Sequence, residues 1–346
     1  MSTKDSDVVL TQKYTTRKKL FDTSIFSEQY ALQRSSIVKV LNGIGSEITE
    51  SAKTIIAPYW DTNPASGVVN TSNDDINTDG AVNALSQSKL SFPVLRQNSA
   101  YGIMDVTAEK VGAELSQAVE ANTSNLMYKR EMAMFNALAG VTGADTSRVR
   151  NISQTSGAST LTYSEINKTK AILGHMRNQL KYVIGNSEAV TYFNEKLATD
   201  ARDVNKTTDG NRFAGMEVID SPHVSQYKIE AGDPLIGTGD IAEGDVIATI
   251  YMVGDGLIGV GNGTPVTPIA YQRKEEAGNG GGYGIMWDRE TYAMTVAGFS
   301  WVPATGASDI SDFADPANWT YHLEDKKVCP LVALTFRIPA ADVTTL

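Results

Sequence analysis

Residues able to do chemistry fall in a few clusters along the 346-residue chain. Gly254-Asp-Gly-Leu-Ile-Gly259 has the G-x-G-x-x-G spacing and follows an apolar run. In a dinucleotide site such glycines turn a strand sharply and hand a pyrophosphate to the N-terminus of the next helix. Here Val260-Gly-Asn-Gly-Thr-Pro265 follows and cannot open that helix, so the spacing predicts a tight turn between two strands. The Gly278–Gly284 run is read as a flexible loop rather than a phosphate cradle. Asp75-Ile-Asn-Thr-Asp-Gly80 repeats the first half of an EF-hand loop, with oxygens at positions one, three and five and the turn glycine at six. Position twelve is Ser86, which cannot supply the bidentate carboxylate, and no entering helix precedes the loop. A solvated loop is expected there. The same holds for Asp233, Asp240, Glu243 and Asp245 among the glycines of 232–245.

His175, His223 and His322 lie far apart and in no metal-ligand spacing. No G-x-S-x-G elbow, phosphate-binding G-x-x-x-x-G-K-[ST] loop or Cys–His setting is present. No catalytic residue, cofactor or metal ligand is assigned. An enzyme with catalytic groups dispersed along the chain would escape this reading and stays open as an alternative of another class.

Composition narrows the class. With 41% hydrophobic and 20% charged residues the chain is expected to pack a globular core. Apolar runs such as Val246–Val253 fall far below the roughly 18 residues of a membrane span, so no membrane partner is expected. Met1-Ser-Thr-Lys-Asp-Ser-Asp lacks the look of a secretion signal, and Cys329 stands alone, so synthesis inside the cell without disulfides is expected. The net charge of −10 argues against a dedicated nucleic-acid reader, whose affinity rests on Lys and Arg. The charge is uneven: residues 1–40 hold seven Lys/Arg against four acids, for +3, leaving −13 elsewhere. One further expectation is that this basic arm rests on acidic surface of a neighbouring copy, such as the −3 segment 54–105.

The elements that would position these groups follow the hydrophobic pattern. Residues 1–30 read as an extended arm, and Ile37 to Ile48 as a short helix or strand. Thr54–Trp60 reads as a strand, with Pro58 marking an edge. After a polar stretch, Asp61 to Ser88, extended segments return at Lys89–Leu95 and Ser99–Met104, so 54–104 forms one long hairpin-like excursion needing a partner surface. A 3.6-residue period then begins at a cap on Asp105 or Thr107, runs through Val111, Leu115, Val119, Leu126, Met134 and Leu138, and stops at Gly140. Beyond a Gly/Ser/Thr-rich linker, helices are expected at Tyr163–Leu173 and Ser187–Leu197. Strands are expected at Lys181–Ile184, Met216–Ile219, Val246–Val253, Leu257–Val260 and Glu290–Val302, with a closing buried strand at Val328–Ile338.

This order of parts resembles the major capsid proteins of tailed bacteriophages, the Hong Kong 97-type fold, over roughly residues 30–340. Three stretches carry the resemblance. The first is Ile55-Ile-Ala-Pro-Tyr-Trp-Asp61 through Ala100-Tyr-Gly-Ile-Met-Asp-Val-Thr107 into the helix ending Glu131-Met-Ala-Met-Phe-Asn-Ala-Leu-Ala-Gly140. The second is Leu180-Lys-Tyr-Val-Ile-Gly-Asn-Ser-Glu-Ala-Val190 with Phe213-Ala-Gly-Met-Glu-Val-Ile-Asp220. The third is Leu257-Ile-Gly-Val-Gly-Asn-Gly263 with Asp315-Pro-Ala-Asn-Trp319 and the closing strand. The resemblance implies an α+β fold. Residues 1–40 would be an N-terminal arm and 41–104 the start of a peripheral domain with an extended loop. Residues 105–162 would be the peripheral domain with its spine helix, 163–305 an axial domain, and 306–346 the return to the peripheral domain. It also implies pentamers and hexamers closing into an icosahedral shell around double-stranded DNA bound without sequence specificity. Separate scaffolding, portal and decoration proteins would assist, with assembly in the cytoplasm of a bacterial host and residence in the virion. Lys18, Lys19, Tyr59, Trp60, Asp61, Asp75, Asp79, Phe92 and Arg96 are the candidate interface residues of the arm and extended loop. An encapsulin-type nanocompartment shares the fold and is the nearest alternative.

Overall fold

A computed structural model describes residues 54–61, 86–105, 115–200, 212–213, 216–255, 257–263, 265–275, 282–302, 309–322 and 329–343. The chain opens with β1 (Thr54–Asp61) and β2 (Ser86–Met104), followed by the long helix α1 (Leu115–Ala144) and β3 (Val149–Asn151). Then come α2 (Tyr163–Lys170), β4 (Leu180–Gly185), α3 (Ser187–Asp200), β5 (Arg212–Phe213), β6 (Met216–Asp220) and β7 (Gln226–Lys228). The longer strands β8 (Val246–Gly254), β9 (Ile258–Gly263), β10 (Ile269–Lys274) and β11 (Tyr283–Val296) follow. Last are β12 (Phe299–Trp301), β13 (Trp319–Tyr321) and β14 (Leu331–Ile338).

Among the described residues the strands make two sheets. The first has the order β1-β2-β11-β12-β13, with β9 and β10 also pairing β11. The second has the order β3-β14-β8-β4-β6-β5, with β7 on β8. The expected excursion is the antiparallel pair β1–β2, in register from Thr54↔Pro93 to Asp61↔Ser86. At about 3.3 Å per residue, the 19 residues of β2 span roughly 60 Å. The outer half of β2 carries β1, and its inner half pairs with β11 from Val94↔Ala293 to Met104↔Tyr283. The partner surface that β2 needs is thus supplied in part by its own chain.

The continuous apolar runs of β8 and β14 explain the middle of the molecule, because a strand buried on both faces needs no polar alternation. Residues of opposite parity enter different cores. Tyr251, Val253, Leu331 and Ala333 join Ala133, Met134, Phe135, Ala137, Leu138 and Val141 of α1. Ala248, Ile250, Met252, Val332, Leu334 and Phe336 join Ile166 of α2 and Ala189, Tyr192 and Phe193 of α3. The closing strand therefore reaches α1 through one face of its side chains, while its backbone pairs with β8 and β3 in the second sheet. β11, within the 163–305 stretch, lies in the first sheet with β2.

Several boundaries differ from the sequence reading. The helical stretch from Tyr163 tightens after Lys170 into 3₁₀ turns that bend at Gly174. The strand expected over Glu290–Val302 is β11 and β12, separated by a turn at Gly298, where φ is 79°. The long helix does not stop at Gly140 but runs to Ala144. Gly140 serves close approach instead: a Cβ there would lie 2.1 Å from the Phe313 carbonyl oxygen and 2.6 Å from Trp319 Nε1. Gly143 likewise makes room for the Pro316 ring. A helical glycine costs about 1 kcal/mol against alanine, and here it admits the 309–319 segment against the helix.

Just past α1, Arg148 is fully buried. Its Nε donates to Asp145 Oδ2 at 2.9 Å and its Nη1 to the Cys329 carbonyl at 3.1 Å. The guanidinium lies 4.6 Å from the ring centroid of Tyr321 and 5.7 Å from that of Phe299. One side chain thereby joins the end of α1, the entry to β14 and the β12–β13 edge. Burial pushes the neighbouring Cys329 thiol up to about 12, so it packs as a neutral group.

Gly140→Ala is expected to lower stability by about 3 kcal/mol through overpacking and loss of the Trp319–Phe313 hydrogen bond. Gly157→Ala, where φ is 71° and nothing lies within 4 Å, should lose only the roughly 1 kcal/mol of backbone strain. Urea unfolding midpoints of the two variants compare them directly.

Candidate functional site

Among the described residues, the Gly254–Gly259 motif is a connection between strands. Gly254–Gly259 joins β8 in the second sheet to β9 in the first, with no helix following. A Cβ on Gly254 would sit 2.3 Å from the Gln179 carbonyl oxygen and 2.8 Å from Pro330 Cβ, so that glycine serves chain crossing. Lys181 pairs with Asp255 beside it. Asp75–Gly80 lies outside the described residues, as does most of the 278–284 glycine run.

The 232–245 loop departs from a solvated acidic loop at its end. Asp245 is buried and accepts from Arg337 Nη1 at 2.8 Å and from the amides of Ala242 and Ala340 at 2.8 and 2.9 Å. Burial alone would raise its carboxyl, but Arg337 and the two amides together hold it below the ordinary value. Asp240 accepts from the Gly157 amide at 2.6 Å and Ser156 Oγ at 2.9 Å, and these bonds lower its carboxyl. Both acids tie the loop down instead of facing a common ion. His175 and His322 are exposed, whereas His223 is tucked against α1.

Of the candidate interface residues, Tyr59, Trp60 and Asp61 occupy the outer end of β1, opposite Ser88, Gln87 and Ser86. Lys18, Lys19, Asp75 and Asp79 lie outside the described residues. Phe92, opposite Ile55, is only 1% exposed and packs inside its own chain. Arg96 is exposed on β2, opposite Thr291. The hairpin thus gathers Tyr59, Trp60 and Asp61 at one end, while Arg96 sits where β2 crosses onto β11.

The sequence reading missed a second surface, the face of the first sheet turned away from α1. Helix α1 covers the even-numbered row of β11: Asn122 Nδ2 donates to the Met286 carbonyl at 3.0 Å, and Arg130 lies 4.9 Å over the Tyr292 ring. That covered row carries Asp288 and Glu290, both buried, opposite Ser99 and Gln97 of β2. The uncovered row carries Tyr283, Ile285, Trp287 and Arg289, all partly exposed. Met104, opposite Tyr283, is 46% exposed, and Arg96 and Lys274 flank the same face. A strand that buries its carboxylates while Trp, Ile and Tyr stay partly exposed departs from the usual partition. The signal was legible in Tyr283-Gly-Ile-Met-Trp-Asp-Arg-Glu290, but alternation alone assigns the apolar row to the core.

Comparisons with protein-family models and with curated proteins find no match. Solved structures do match. The capsid of Ralstonia phage GP4 is similar with a TM-score of 0.53 at 7% identity, over 84% of this chain and 85% of that one. The Cyanophage Pam1 capsid asymmetric unit is similar with a TM-score of 0.50 at 11% identity, over 83% and 85%. The chain has an α+β fold of the Hong Kong 97 type, the architecture of phage capsid proteins. Among the described residues no helix is long and apolar enough to cross a membrane.

Asp245→Asn should cost about 3 kcal/mol near neutral pH, because it leaves half-buried Arg337 without its counter-charge. The sign follows from the lowered carboxyl: the folded state binds its proton less readily, so this stabilisation is present above the unfolded carboxylate range. It is lost as pH falls through the lower folded value. The gap in thermal midpoint between parent and variant should therefore narrow below about pH 4.

Proposed function

We propose that the chain is the major capsid protein of a tailed bacteriophage, a structural subunit and not an enzyme. It builds an icosahedral shell through pentamers and hexamers. The observation that carries this reading is the uncovered apolar row Tyr283, Ile285 and Trp287 beside a hairpin with only one described strand partner at its outer end. The row faces away from α1 and is partly exposed, and the outer end of the hairpin has no second strand beside it among the described residues. Contacts between such unlike surfaces of successive copies are heterologous and close into rings. The likeness to the GP4 and Pam1 capsids supports the same reading.

In this reading the module of α1 and the first sheet is the peripheral part, which takes β9 to β12 out of the axial stretch 163–305 and leaves β14 outside the peripheral return 306–346. The second sheet with α2 and α3 is the axial part that meets its copies around a capsomer axis. Residues 1–40 are the arm, whose Lys18 and Lys19 pair with acids such as Asp75 and Asp79 of a neighbour; Tyr59, Trp60, Asp61 and Arg96 take part in loop contacts. The net charge of −10 suits a shell that encloses double-stranded DNA without gripping it. Separate scaffolding, portal and decoration proteins complete the particle, which assembles in the cytoplasm of a bacterial host and becomes the virion capsid.

Trp287→Glu combined with Ile285→Glu is expected to leave a folded chain by circular dichroism that sediments as small species, while the parent forms capsomers or shells. Closed shells of parental size from this variant would overturn the role given to the face. Deletion of residues 62–85 should likewise leave soluble protein that builds no normal shell. Shells that hold protein and no nucleic acid when made in the phage's host would favour a nanocompartment instead.

A further inference from the structure

The turn after β6, Ser221-Pro222-His223-Val224, is pinned to α1 by side chains of opposite chemical character. Ser221 and Val224 are buried, the Ser221 amide donates to the Gly185 carbonyl at 2.9 Å, and Ser221 Oγ donates to Glu131 Oε1 at 3.3 Å. The His223 ring enters the helix surface between Tyr128, Glu131 and Phe135, which share one face of α1 at spacings of three and four. It meets the Tyr128 ring edge-on, with centroids 4.4 Å apart, and stacks toward Phe135 at 6.1 Å. Its side chain is 5% exposed, and Nε2 lies 3.9 Å from Glu131 Oε2 without a hydrogen-bond partner.

The surroundings of this ring suit a cation. Two aromatic rings and one carboxylate face it from α1. From the β4–α3 connection comes the uncharged Asn186, whose Nδ2 donates to the Val224 carbonyl. The charged groups next along the packed elements are acidic: Asp220, bonded by Ser187 Oγ, and Glu188, bonded by Gln226 Nε2. Arg130 of α1 is turned the other way, onto Tyr292.

We propose that His223 and Glu131 form an acid-strengthened latch between the second sheet and α1. A protonated imidazole carries N–H on both ring nitrogens, so Nε2 becomes a charged donor aimed at Glu131 and closes the 3.9 Å gap into a charge-assisted bond. The bond requires a protonated ring facing an ionised carboxylate, so the latch closes on an imidazolium–carboxylate pair and not on a neutral ring. The latch lies within one chain, so it stands or falls separately from the shell assignment.

Hydrogen–deuterium exchange, corrected for intrinsic rates, tests this on the full chain, with peptides covering 126–138 and 218–226 compared at about pH 8 and about pH 6. In the parent, exchange in both peptides is expected to slow by roughly fivefold at the lower pH relative to the 163–173 peptide. His223→Gln and Glu131→Gln should each abolish that relative slowing. Equal pH response in parent and variants, or faster relative exchange in the parent at the lower pH, would overturn the latch. If both variants fail to fold, the parent alone decides, because an unchanged ratio to the 163–173 peptide overturns it.

Discussion

The pairing of β8 with β14 is the constraint on which the rest depends. Each strand is apolar on both faces, and neither core survives without them: one face completes the packing around α1, the other the packing around α2 and α3. Eight consecutive register pairs, from Leu331↔Val253 to Ile338↔Val246, keep the two sets of side chains in step. A slip of one residue would exchange every contact between the cores. Arg148 then holds the entry to β14 against the end of α1 and the rings of Tyr321 and Phe299. The position of the first sheet, and of the hairpin it carries, follows from that join.

Much of this was legible in residue patterns. The runs Val246–Val253 and Val328–Ile338 announced buried strands, and the paired extended segments around a polar stretch announced the hairpin. What escaped was decided by tertiary contact. Gly140 looked like a helix stop because its other role, admitting Phe313 and Trp319 to the helix surface, depends on residues more than 170 positions away. Asp245 looked solvated because its partners Arg337 and Ala340 arrive from the far end of the chain. Asp288 and Glu290 lie buried on the face of β11 that α1 covers, where Asn122 donates to the Met286 carbonyl and Asn125 to Ser99.

That arrangement connects fold to function. A sheet that buries two carboxylates while Trp287 and Ile285 stay partly exposed and Met104 exposed has room for a further contact on that side. Together with the hairpin, the open face gives the subunit two unlike surfaces, which is the requirement for repeated head-to-tail contact. Of the motifs that suggested chemistry, Gly254 lets two chain segments cross closely, and Asp240 and Asp245 tie the 232–245 loop down.

A particle reconstruction that resolves helices and strands tests the central claim most directly. The account predicts closed shells in which density from a neighbouring copy lies against the β11 row of Tyr283, Ile285 and Trp287. Particles in which that row faces solvent, or a chain that stays monomeric whatever the salt and concentration, would contradict it.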